Sequence, residues 1–496
     1  MIEVVSKHLM QESDRYTSNN ITKSIELMER AGRRVYEEVH WHDKILILCG
    51  TGSNAGDGYV IARLLHDDGY DVSLLLLEDK YSNDGAYYFK ECVKRNIKYD
   101  YYNQSFNLDK YDMFVDCLLG TGFNKEVTGN LKDLILKVNE LKKEVISVDI
   151  NSGLFADNGM GDVIIKSSLT ISIGYFKAGH FLAKAKDYIK NKINVDIGIK
   201  LVSKPNYLIE KDDIKDIFKE RLNFSNKGTY GYISLMGGSD NYAGALKLAN
   251  MASSASRSGA GVVRVCCIKS LVPYIMPNIL ESTVTSLKEI DGHIKYDIDD
   301  INMVMKNTKA ISFGMGLGTS VDVIKTLEFL ILNYTGVLII DADGLNALAK
   351  MDKEILTKTK AKVIITPHLK EFSRLTSKDI DEINYNSISL AKEFADKYRI
   401  IVLLKGPTTI VTNGLEVYLV DKGCAGMATA GSGDVLSGIL AALCASSDSD
   451  LLLTVASGAY LNGLAGMLAE KEVGDISLIA SDTIKCIPLA IKEIRK

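Results

Sequence analysis

The segment GCAGMATAGSGDVLSG, from Gly423 to Gly438, restricts the possible folds of this chain more than any other. It has no basic residue and one carboxylate, Asp434, and small residues fill most positions before an apolar helical pattern begins at Val435. Free backbone N–H groups and the helix dipole favour an anion at the start of a helix. The segment therefore predicts an anion-binding turn that opens a helix, with glycines that let the backbone approach a ligand closely.

Asp434 stands where it would repel a phosphate group, so its presence needs a chemical reason. A base that removes a proton from a hydroxyl group is one such reason, and it makes Asp434 the first catalytic candidate. The structural alternative is a glycine-rich turn before a buried helix, with the carboxylate capping that helix. Upstream, the run from Leu403 to Thr408 predicts a strand and a turn with Lys405 and a hydroxyl group at its end, as a nucleotide site requires.

Two stretches, LLKGPTTIV and GMATAGSGDVLSG, resemble the ribokinase-like fold, and specifically the ADP- or ATP-dependent NAD(P)H-hydrate dehydratase family. The segment NKGTYGYISLMGGSDNYAGA, from Asn226 to Ala245, matches the opening motif of that family. The resemblance implies that ADP, assisted by a magnesium ion, is bound by Lys405, Gly406, Pro407, Thr408, Thr409, Cys424, Ala425, Gly426, Met427, Ala428, Thr429, Ala430, Gly431, Ser432 and Gly433.

Three further segments of the second half, FGMGLGT, DADGLNAL and TPHLKEFSRL, occupy positions that face the substrate in that family. Taken alone, the first could be only a tight turn, and His368, one of seven histidines, could be structural. The substrate contacts that the resemblance implies are Gly316, His368, Leu369, Lys370, Glu371, Phe372, Ser373, Arg374 and Asp434.

Chain length and charge limit the classes of function. With 496 residues, the chain exceeds what one hydrophobic core usually serves, so we expect at least two domains. The 59 basic and 63 acidic residues give a net charge of −4, which leaves no excess of cations for a nucleic-acid backbone. The eight cysteines are scattered, with no CxxC pair, and so indicate reduced thiols rather than disulfides or a zinc site.

Membrane and export signals are weak. The N-terminal MIEVVSKHLMQESDR is charged throughout and lacks the apolar core of a signal peptide. One uncharged run, from Leu451 to Ala469, is long enough to span a bilayer. It contains Thr454, Ser457 and Asn462 and follows the predicted anion-binding helix directly, so a buried helix is the preferred interpretation. We expect a cytoplasmic protein without membrane contact.

The first half begins with an amphipathic helix in which apolar residues recur at helical spacing from Ile25 to Val39. Strands are predicted at Lys44 to Cys49, Tyr70 to Leu77, Tyr111 to Leu118, Glu144 to Ile150 and Leu169 to Gly174. The intervals between them leave room for crossover helices, and this alternation of strand and helix is typical of a parallel sheet. The first half is therefore predicted to be a Rossmann-like, doubly wound α/β sandwich.

The first predicted strand runs directly into GTGSNAGDGYVIARLL, which satisfies the dinucleotide-binding fingerprint through Gly50, Gly52 and Ala55. Glu78, at the end of the second strand, stands where a ribose-binding acid is expected. A Rossmann dehydrogenase is therefore one interpretation. Asp57 opposes it, because its carboxylate sits where a pyrophosphate would meet the helix start.

The segments ELMERAG, GTGSNAGDG, VDCLLGTGF and VDINSG, in this order, resemble the NAD(P)H-hydrate epimerase family. The chain departs from the usual GxGNNGGDG at Ser53 and Ala55 and from DIPSG at Asn151. The resemblance implies substrate contacts at Ser53, Asn54, Ala55, Gly56, Asp57, Gly120, Thr121, Gly122, Phe123, Asn124, Lys125, Glu126 and Asp149.

The same resemblance implies a potassium site formed by Asn54, Asp116 and Ser152, with Asp116 also the acid–base candidate. Each residue has a structural alternative: Asn54 could cap a helix, and Asp116 could be a solvated charge at a strand end. A carboxylate at the carboxyl end of a parallel strand, with GTG close behind it, nevertheless lies where such sheets bind ligands.

Between Lys200 and Ser225 the chain becomes highly charged, as in EKDDIKDIFKER, so we predict a domain boundary near residue 210. The expected domains are 1–210 and 211–496. Strands predicted in the second are Val262 to Cys267, Ala310 to Gly314, Val337 to Asp341, Val363 to Thr366 and Ile401 to Leu404. The second half is therefore predicted to be a ribokinase-like α/β sandwich.

Together the two resemblances imply repair of hydrated NADH and NADPH. The first half would interconvert the R and S epimers, and the second would dehydrate the S form with ADP as phosphoryl donor. The expected partners are these small molecules and further copies of the chain in a homo-oligomer. One alternative keeps the second half as a kinase of a small alcohol such as a vitamin precursor; another makes the first half a non-catalytic dinucleotide-binding regulator.

Overall fold

The computed structural model describes residues 1–253 and 257–496. The chain divides into two compact units: one covers Glu3–Asn206, and the other covers Tyr207–Lys496 together with Met1–Ile2. Helices and parallel strands alternate in both, so the prediction of an α/β fold is confirmed for each half.

The first unit contains nine strands and six α-helices among its described residues. The strands are β1 Ile2–Val5, β2 Lys44–Cys49, β3 Asp71–Leu76, β4 Lys98–Tyr101, β5 Met113–Cys117, β6 Glu144–Val148, β7 Leu169–Ile173, β8 Phe176–Lys177 and β9 Lys192–Val195. The helices are α1 Lys7–Asn20, α2 Ser24–Glu37, α3 Ser53–Asp67, α4 Asn83–Lys94, α5 Gly129–Leu141 and α6 Ala185–Tyr188.

Seven of these strands form one sheet in the order β4-β3-β2-β5-β6-β7-β9, and every neighbouring pair is parallel. The strand order reverses between β2 and β5, which makes this the topological switch point of a doubly wound sheet. Ligands bind such sheets beyond the carboxyl ends of the strands at that point. The loops after β2 and β5 are therefore where a site is expected.

Packing of α2 on α3 explains the apolar pattern that the sequence shows in its first helix. Leu27, Met28, Ala31 and Val35 are buried on one face of α2. At Gly32, an added Cβ atom would lie 2.5 Å from the Val60 side chain, so only glycine permits this approach. Helix α3 packs on the sheet and begins just after β2, so its first turn lies at the switch point.

The second unit continues the alternation. Its strands are β10 Asn206–Leu208, β11 Tyr232–Met236, β12 Val262–Ile268, β13 Thr283–Leu287, β14 Glu289–Ile290, β15 His293–Ile294, β16 Ala310–Phe313, β17 Val337–Ile340, β18 Lys362–Ile365, β19 Ile401–Leu404, β20 Thr409–Thr412 and β21 Val417–Val420. Its helices are α7 Lys211–Ile214, α8 Ala243–Ser253, α9 Val272–Ile275, α10 Ile298–Met305, α11 Val321–Asn333, α12 Asp343–Ala349, α13 Leu369–Thr376, α14 Ile380–Tyr385, α15 Ser387–Tyr398, α16 Ser432–Ser446, α17 Leu451–Val473 and α18 Ala480–Arg495.

The main sheet of this unit runs in the order β13-β12-β11-β16-β17-β18-β19-β20-β21-β10. Its strands are parallel from β13 to β19, whereas β20 is antiparallel to both of its neighbours. The chain leaves the carboxyl ends of β16, β17, β18 and β19 at one edge. Four of the segments predicted to bind ligands follow these ends, and the segment from Gly423 to Gly433 follows β21 and leads into α16.

Helix α16 begins beside that edge and is buried along almost its whole length. At Gly438, an added Cβ atom would lie 2.2 Å from the backbone oxygen of Ala249 in α8, so these helices pack with little space between them. Helix α17 is long and apolar enough to cross a membrane by length and composition alone, but 78% of its most apolar window is buried inside the protein. This burial is typical of a core helix.

Candidate functional site

A cavity of about 560 Å³ opens in the first unit at the carboxyl edge of its sheet. Helices α1 and α2, the start of α3, the loops after β5 and β6, and the ends of β7 and β8 supply most of its wall. Eight of the residues predicted to bind substrate line it: Ser53, Asn54, Asp57, Gly120, Thr121, Gly122, Phe123 and Asp149.

The remaining predicted residues of this half lie elsewhere. Ala55 is buried in the hydrophobic core, and an added Cβ at Gly56 would lie 2.4 Å from the Met28 sulfur. Asn124, Lys125 and Glu126 are exposed on the loop beyond Phe123 and do not line the cavity. Ala55 and Gly56 thus contribute to helix packing, and their contact with a substrate stays a prediction.

Asp116, at the end of β5, is fully buried and does not line the cavity. Its Oδ1 accepts hydrogen bonds from Ser152 Oγ at 2.5 Å and Leu118 N at 3.3 Å. Its Oδ2 accepts from Ser147 Oγ and Ser152 N, both at 2.9 Å. Burial raises the pKa of Asp116, and these four hydrogen bonds oppose the shift. The carboxylate is thus held firmly behind the cavity wall.

Asn54, in the first turn of α3, lies close to this cluster. Its amide nitrogen donates to Leu119 O at 2.8 Å and to Val148 O at 3.1 Å, which leaves its oxygen pointing away from both. That oxygen, Oδ1, is buried and has no hydrogen-bond partner among the described residues. An orphaned buried acceptor is costly. The oxygen-rich surroundings of Asn54, Asp116 and Ser152 therefore fit a monovalent cation.

Asp149 follows β6 and is held on the cavity wall by buried neighbours. Its Oδ1 pairs with the ammonium group of Lys177 and accepts a hydrogen bond from Ile173 N at 3.3 Å. Its backbone has φ 66°, which is uncommon for a residue other than glycine and is typical of functional sites. His180 supports this backbone, because its Nε2 lies 2.8 Å from Asp149 O.

Asp57 faces the same cavity from the first turns of α3 and is nine-tenths buried. Burial, followed by the charges of Asp149 and Asp14, raises the pKa of Asp57 well above its ordinary value. Sequence inspection missed Asp14 of α1 and the pair Lys177 and His180. A lysine and a histidine in the otherwise apolar GYFKAGHFLA were the available signal, because buried cations need partners.

In the second unit, Asp341 is the centre of a buried polar cluster at the carboxyl edge of the sheet. It follows β17 and is 2% exposed. Its Oδ1 pairs with Lys405 Nζ at 2.9 Å, and its Oδ2 accepts from Ser437 Oγ of α16 at 2.7 Å. Burial alone would raise the pKa of Asp341, but Lys405 and these hydrogen bonds bring it below its ordinary value. The cluster ties β17 and β19 to α16.

Asp434 lies in the first turn of α16, as predicted from the sequence. Burial, followed by the charge of Asp341, raises its pKa to about 7, and Lys405 opposes this shift. Burial also raises the pKa of Glu371 to about 7, again against Lys405, whose Nζ lies 3.8 Å from Glu371 Oε2. Two carboxyl groups thus titrate near neutrality around one lysine, a pattern frequent at active sites.

His368 begins helix α13 with a capping box. Its Nδ1 accepts from the backbone N–H groups of Lys370 and Glu371 at 3.0 and 3.3 Å, and Glu371 Oε2 accepts from His368 N at 2.8 Å. The histidine is half exposed, so its structural and ligand roles are compatible. Burial, followed by the charge of Lys405, lowers the pKa of His368, so the ring is neutral at physiological pH.

Glycines bring the backbone close to this cluster. Gly431 has φ 90° and precedes α16, and an added Cβ at Gly433 would lie 3.4 Å from Lys405 Nζ. Gly314 has φ 133°, and an added Cβ there would lie 1.8 Å from Asp341 O. A larger residue at Gly314 would displace the strand end that carries Asp341. The first turn of α16 therefore faces the lysine and its carboxylates.

Other residues predicted to bind ADP lie on the loop between β19 and β20 and on the segment between β21 and α16. Gly426 N donates to Glu470 Oε2 of α17 at 2.9 Å, and Ser432 Oγ donates to Met427 O at 2.8 Å. Thr408 Oγ1 donates to Asp421 Oδ1 at 2.8 Å. These contacts fix the two loops that frame the start of α16. Whether they contact a nucleotide stays a prediction.

Three predicted substrate residues on α13 have contacts of their own. Phe372 is fully buried and its ring lies 5.7 Å from that of Phe394, so its side chain packs in the core, and its contact with a substrate stays a prediction. Arg374 donates to Asn346 Oδ1 at 2.7 Å. Ser373 Oγ donates to Lys378 O at 2.7 Å, which caps the helix end.

The family models match both halves of the chain. Residues 233–489 match the model described as NAD(P)H-hydrate dehydratase, and residues 24–179 match the model described as YjeF-related protein N-terminus. Among curated relatives, the bifunctional NAD(P)H-hydrate repair enzyme Nnr of Thermofilum pendens is 31% identical over 91% of this chain and 88% of its own length. The Nnr of Escherichia coli is 30% identical over 92% of this chain and 87% of its own length.

Solved structures match the second half. The ADP/ATP-dependent NAD(P)H-hydrate dehydratase of Bacillus subtilis, co-crystallised with ATP and Mg²⁺, is 27% identical, with a TM-score of 0.51 over 58% of this chain and 99% of its own. A hypothetical protein of Streptococcus mutans is 25% identical, with a TM-score of 0.51 over 58% of this chain and all of its own. By its two matched segments and its full-length relatives, the chain belongs to the family of bifunctional NAD(P)H-hydrate repair enzymes.

Proposed function

We propose that this protein repairs hydrated NADH and NADPH in two steps. The first unit interconverts the R and S epimers of the hydrate, and the second dehydrates the S form at the expense of ADP, giving AMP and phosphate. One observation carries the proposal: Asp434, with a pKa near 7, stands in the first turn of α16 beside the buried cluster of Asp341, Lys405 and Glu371. A kinase of a small alcohol is not favoured by the family that the chain belongs to.

Dehydration of the hydrate needs a better leaving group than hydroxide. A phosphoryl group transferred to the added hydroxyl departs readily as phosphate, because the adjacent ring nitrogen can supply electrons to the carbon it leaves. A kinase-like fold therefore suits a dehydration. The acid–base requirement is a group that takes the hydroxyl proton during phosphoryl transfer.

Asp434 meets this requirement. Burial raises its pKa to about 7, and a general base is most efficient when its pKa lies close to the pH at which it operates. The backbone N–H groups from Gly431 to Gly433 would stabilise the charge that develops on the transferred phosphoryl group, although Ser432 N also donates to Thr429 O at 3.5 Å. Lys405 is held beside Gly433 by Asp341, so its charge is available to the nucleotide phosphates without long-range movement.

Magnesium would neutralise nucleotide phosphate charge in this site. Among the described residues, no group of three or more His, Cys, Asp or Glu side chains is arranged as a metal site. Magnesium is commonly held by substrate phosphates and water with few protein carboxylates, which is compatible with this absence. We therefore assign the ion to the nucleotide rather than to a preformed protein site.

The epimerase activity is proposed for the cavity of the first unit. Asn54, Asp116 and Ser152 would hold a potassium ion, whose charge would offset the buried Asp116 carboxylate and tie the start of α3 to the ends of β5 and β6. The orphaned Asn54 Oδ1 supports this assignment. Each activity then lies within one of the predicted domains, 1–210 and 211–496.

The test is to incubate the purified protein with a mixed-epimer hydrate and with ADP, ATP or no nucleotide. Repair predicts recovery of the absorbance of the reduced nicotinamide together with release of inorganic phosphate. A stable phosphorylated product would instead indicate a conventional kinase. If the S form is consumed and the R form persists, the first unit is a non-catalytic dinucleotide-binding regulator. Asp434→Asn is the matched control for the nucleotide-dependent step.

A further inference from the structure

The cavity of the first unit has more carboxyl groups in its wall than its proposed substrate explains. Four carboxylates line it: Asp14, Asp57, Asp84 and Asp149. Among the described residues of its lining, Lys177 is the one cation. A dinucleotide brings its own negative phosphates, which carboxylates repel. Some of these acids therefore serve the uncharged hydrated ring, where protons must move.

Asp149 is the most firmly oriented of the four. The Lys177 ammonium group has three donors, and it uses them on Asp149 Oδ1, on Ile173 O at 2.8 Å and on Ser172 Oγ at 3.3 Å. The lysine side chain is 1% exposed, and all three of its N–H donors are used within the protein. It therefore has no donor left for a substrate. Its effect is to compensate the charge of Asp149, while Asp149 Oδ2 has no comparable contact among the described residues.

His180 holds the backbone of Asp149 in place through its ring. Lys177 N donates to His180 Nδ1 at 3.0 Å, so the other ring nitrogen, Nε2, carries the proton and donates to Asp149 O at 2.8 Å. Burial, followed by the charge of Lys177, lowers the pKa of His180 to about 3, so the ring remains neutral. The left-handed backbone of Asp149 is thus held by the neutral ring of His180, which does not line the cavity.

Asp57 is the complementary acid. It lies on a different element, α3, and faces the same cavity, where the negative charge of Asp149 disfavours the charged form of Asp57. Burial is the larger cause of its raised pKa. Two carboxyl groups whose environments differ in this way are the usual arrangement for an acid and a base in one site.

Epimerisation of the hydrate requires such a pair. Water adds to an enamine with its hydroxyl on the carbon next to nitrogen, so the hydrated ring carbon has both a hydroxyl group and a bond to the ring nitrogen. Its configuration inverts if that carbon–nitrogen bond opens and closes again on the opposite face. Opening requires removal of the hydroxyl proton and delivery of a proton to the nitrogen.

We propose that Asp149 is the general base and Asp57 the general acid of the epimerisation, an inference that rests on the proposed epimerase function. Asp149 takes the hydroxyl proton while the carbonyl forms and the carbon–nitrogen bond breaks. The released electron pair goes to the ring nitrogen, which takes a proton from Asp57. After rotation of the carbonyl, the nitrogen attacks its other face, and both protons return. No oxidant or other reactant is consumed, and this role replaces the acid–base role predicted for Asp116.

The test uses the full chain with the purified R form of the hydrate and no nucleotide, and follows the R-to-S ratio by chromatography. Asp57→Asn and Asp149→Asn should each slow interconversion about a hundredfold or more. Asp84→Asn is the matched control, because it removes a carboxylate from the same cavity, and it should change the rate by less than about fivefold. All three variants should keep ADP-dependent dehydration of the S form.

Asp57→Ser and Asp149→Ser serve as second variants if an asparagine variant does not fold, as judged by its melting profile. The inference is overturned if the Asp57 and Asp149 variants keep the wild-type rate. An equal loss in Asp84→Asn would also overturn it, since the effect would then reflect only the summed charge of the cavity. Wild-type protein that never interconverts the epimers would instead refute the proposed epimerase function.

Discussion

Asp434→Asn separates the catalytic and structural explanations of the residue on which the dehydratase proposal depends. The substitution keeps the size of the side chain and much of its hydrogen bonding but removes the base. We expect ADP-dependent dehydration to fall about a hundredfold to ten-thousandfold, the usual contribution of a positioned general base. Epimerisation should be unchanged, because its site lies in the other unit and distant, independent sites rarely couple.

The effect of Asp434→Asn on the free energy of unfolding at neutral pH has opposite signs in the two explanations. The variant is more stable than the wild type if Asp434 is a buried base, and less stable if Asp434 only caps the helix. Burial, followed by the charge of Asp341, raises the pKa of Asp434 from 3.8 to about 7, so the folded protein disfavours the charged form. This difference corresponds to at most about 4 kcal/mol of unfolding free energy. The contribution of the group is fully present below its unfolded pKa and is lost as the pH rises to about 7. Asparagine does not titrate, so the variant should be more stable than the wild type at neutral pH.

The measurement is thermal unfolding of both proteins at acidic and at neutral pH, beside both activities. We expect the melting temperatures to lie close together near the unfolded pKa and to differ by several degrees at neutral pH, with the variant higher. If the carboxylate is only a helix cap, its loss should lower stability by roughly 0.5 to 2 kcal/mol. A well-folded Asp434→Asn protein that retains dehydratase turnover would refute the assignment of this residue as the base.

Three further predictions concern the rest of the molecule. Fragments 1–210 and 211–496 should each fold and keep one activity, as measured by circular dichroism and the two assays; insoluble fragments would show that the halves share a core. Replacing potassium with a much larger organic cation should slow epimerisation and affect dehydration less, and an epimerase indifferent to monovalent ions would return Asn54 to a turn-shaping role. Lys405→Met should weaken ADP binding and also lower stability, because it leaves Asp341 as an uncompensated buried charge costing about 3 to 5 kcal/mol; calorimetric titration with ADP and thermal unfolding test both effects.

The alternation of helices and strands could be predicted from the sequence because it depends on the local spacing of apolar residues. Parallel strands covered on both faces appear as short apolar runs, and the run Ile401–Leu404 is a strand with those bounds. The predicted run Tyr70 to Leu77 is a strand at Asp71–Leu76, since strand ends depend on pairing with neighbours. The two-residue strand Phe176–Lys177 is too short for any pattern to mark it.

The position of Asp434 in the first turn of α16 was also accessible from the sequence, because the glycines before it and the apolar period after it are local signals. The raised pKa of Asp434 was not. It arises from burial and from Asp341, which reaches the same edge of the sheet from a different strand. Charges that are distant in the chain become neighbours only when the parallel strands end side by side.

The first unit shows the same division more sharply. Local motifs sufficed to mark Asn54, Asp57, Asp116 and Asp149 as polar residues at strand ends and a helix start. Only the tertiary structure decided which carboxylate faces the cavity: Asp57 and Asp149 line it, whereas Asp116 is fully buried, does not line it and accepts a hydrogen bond from Ser152. A sequence records which groups are present, but the direction and desolvation of each side chain depend on packing between elements that are far apart in the chain.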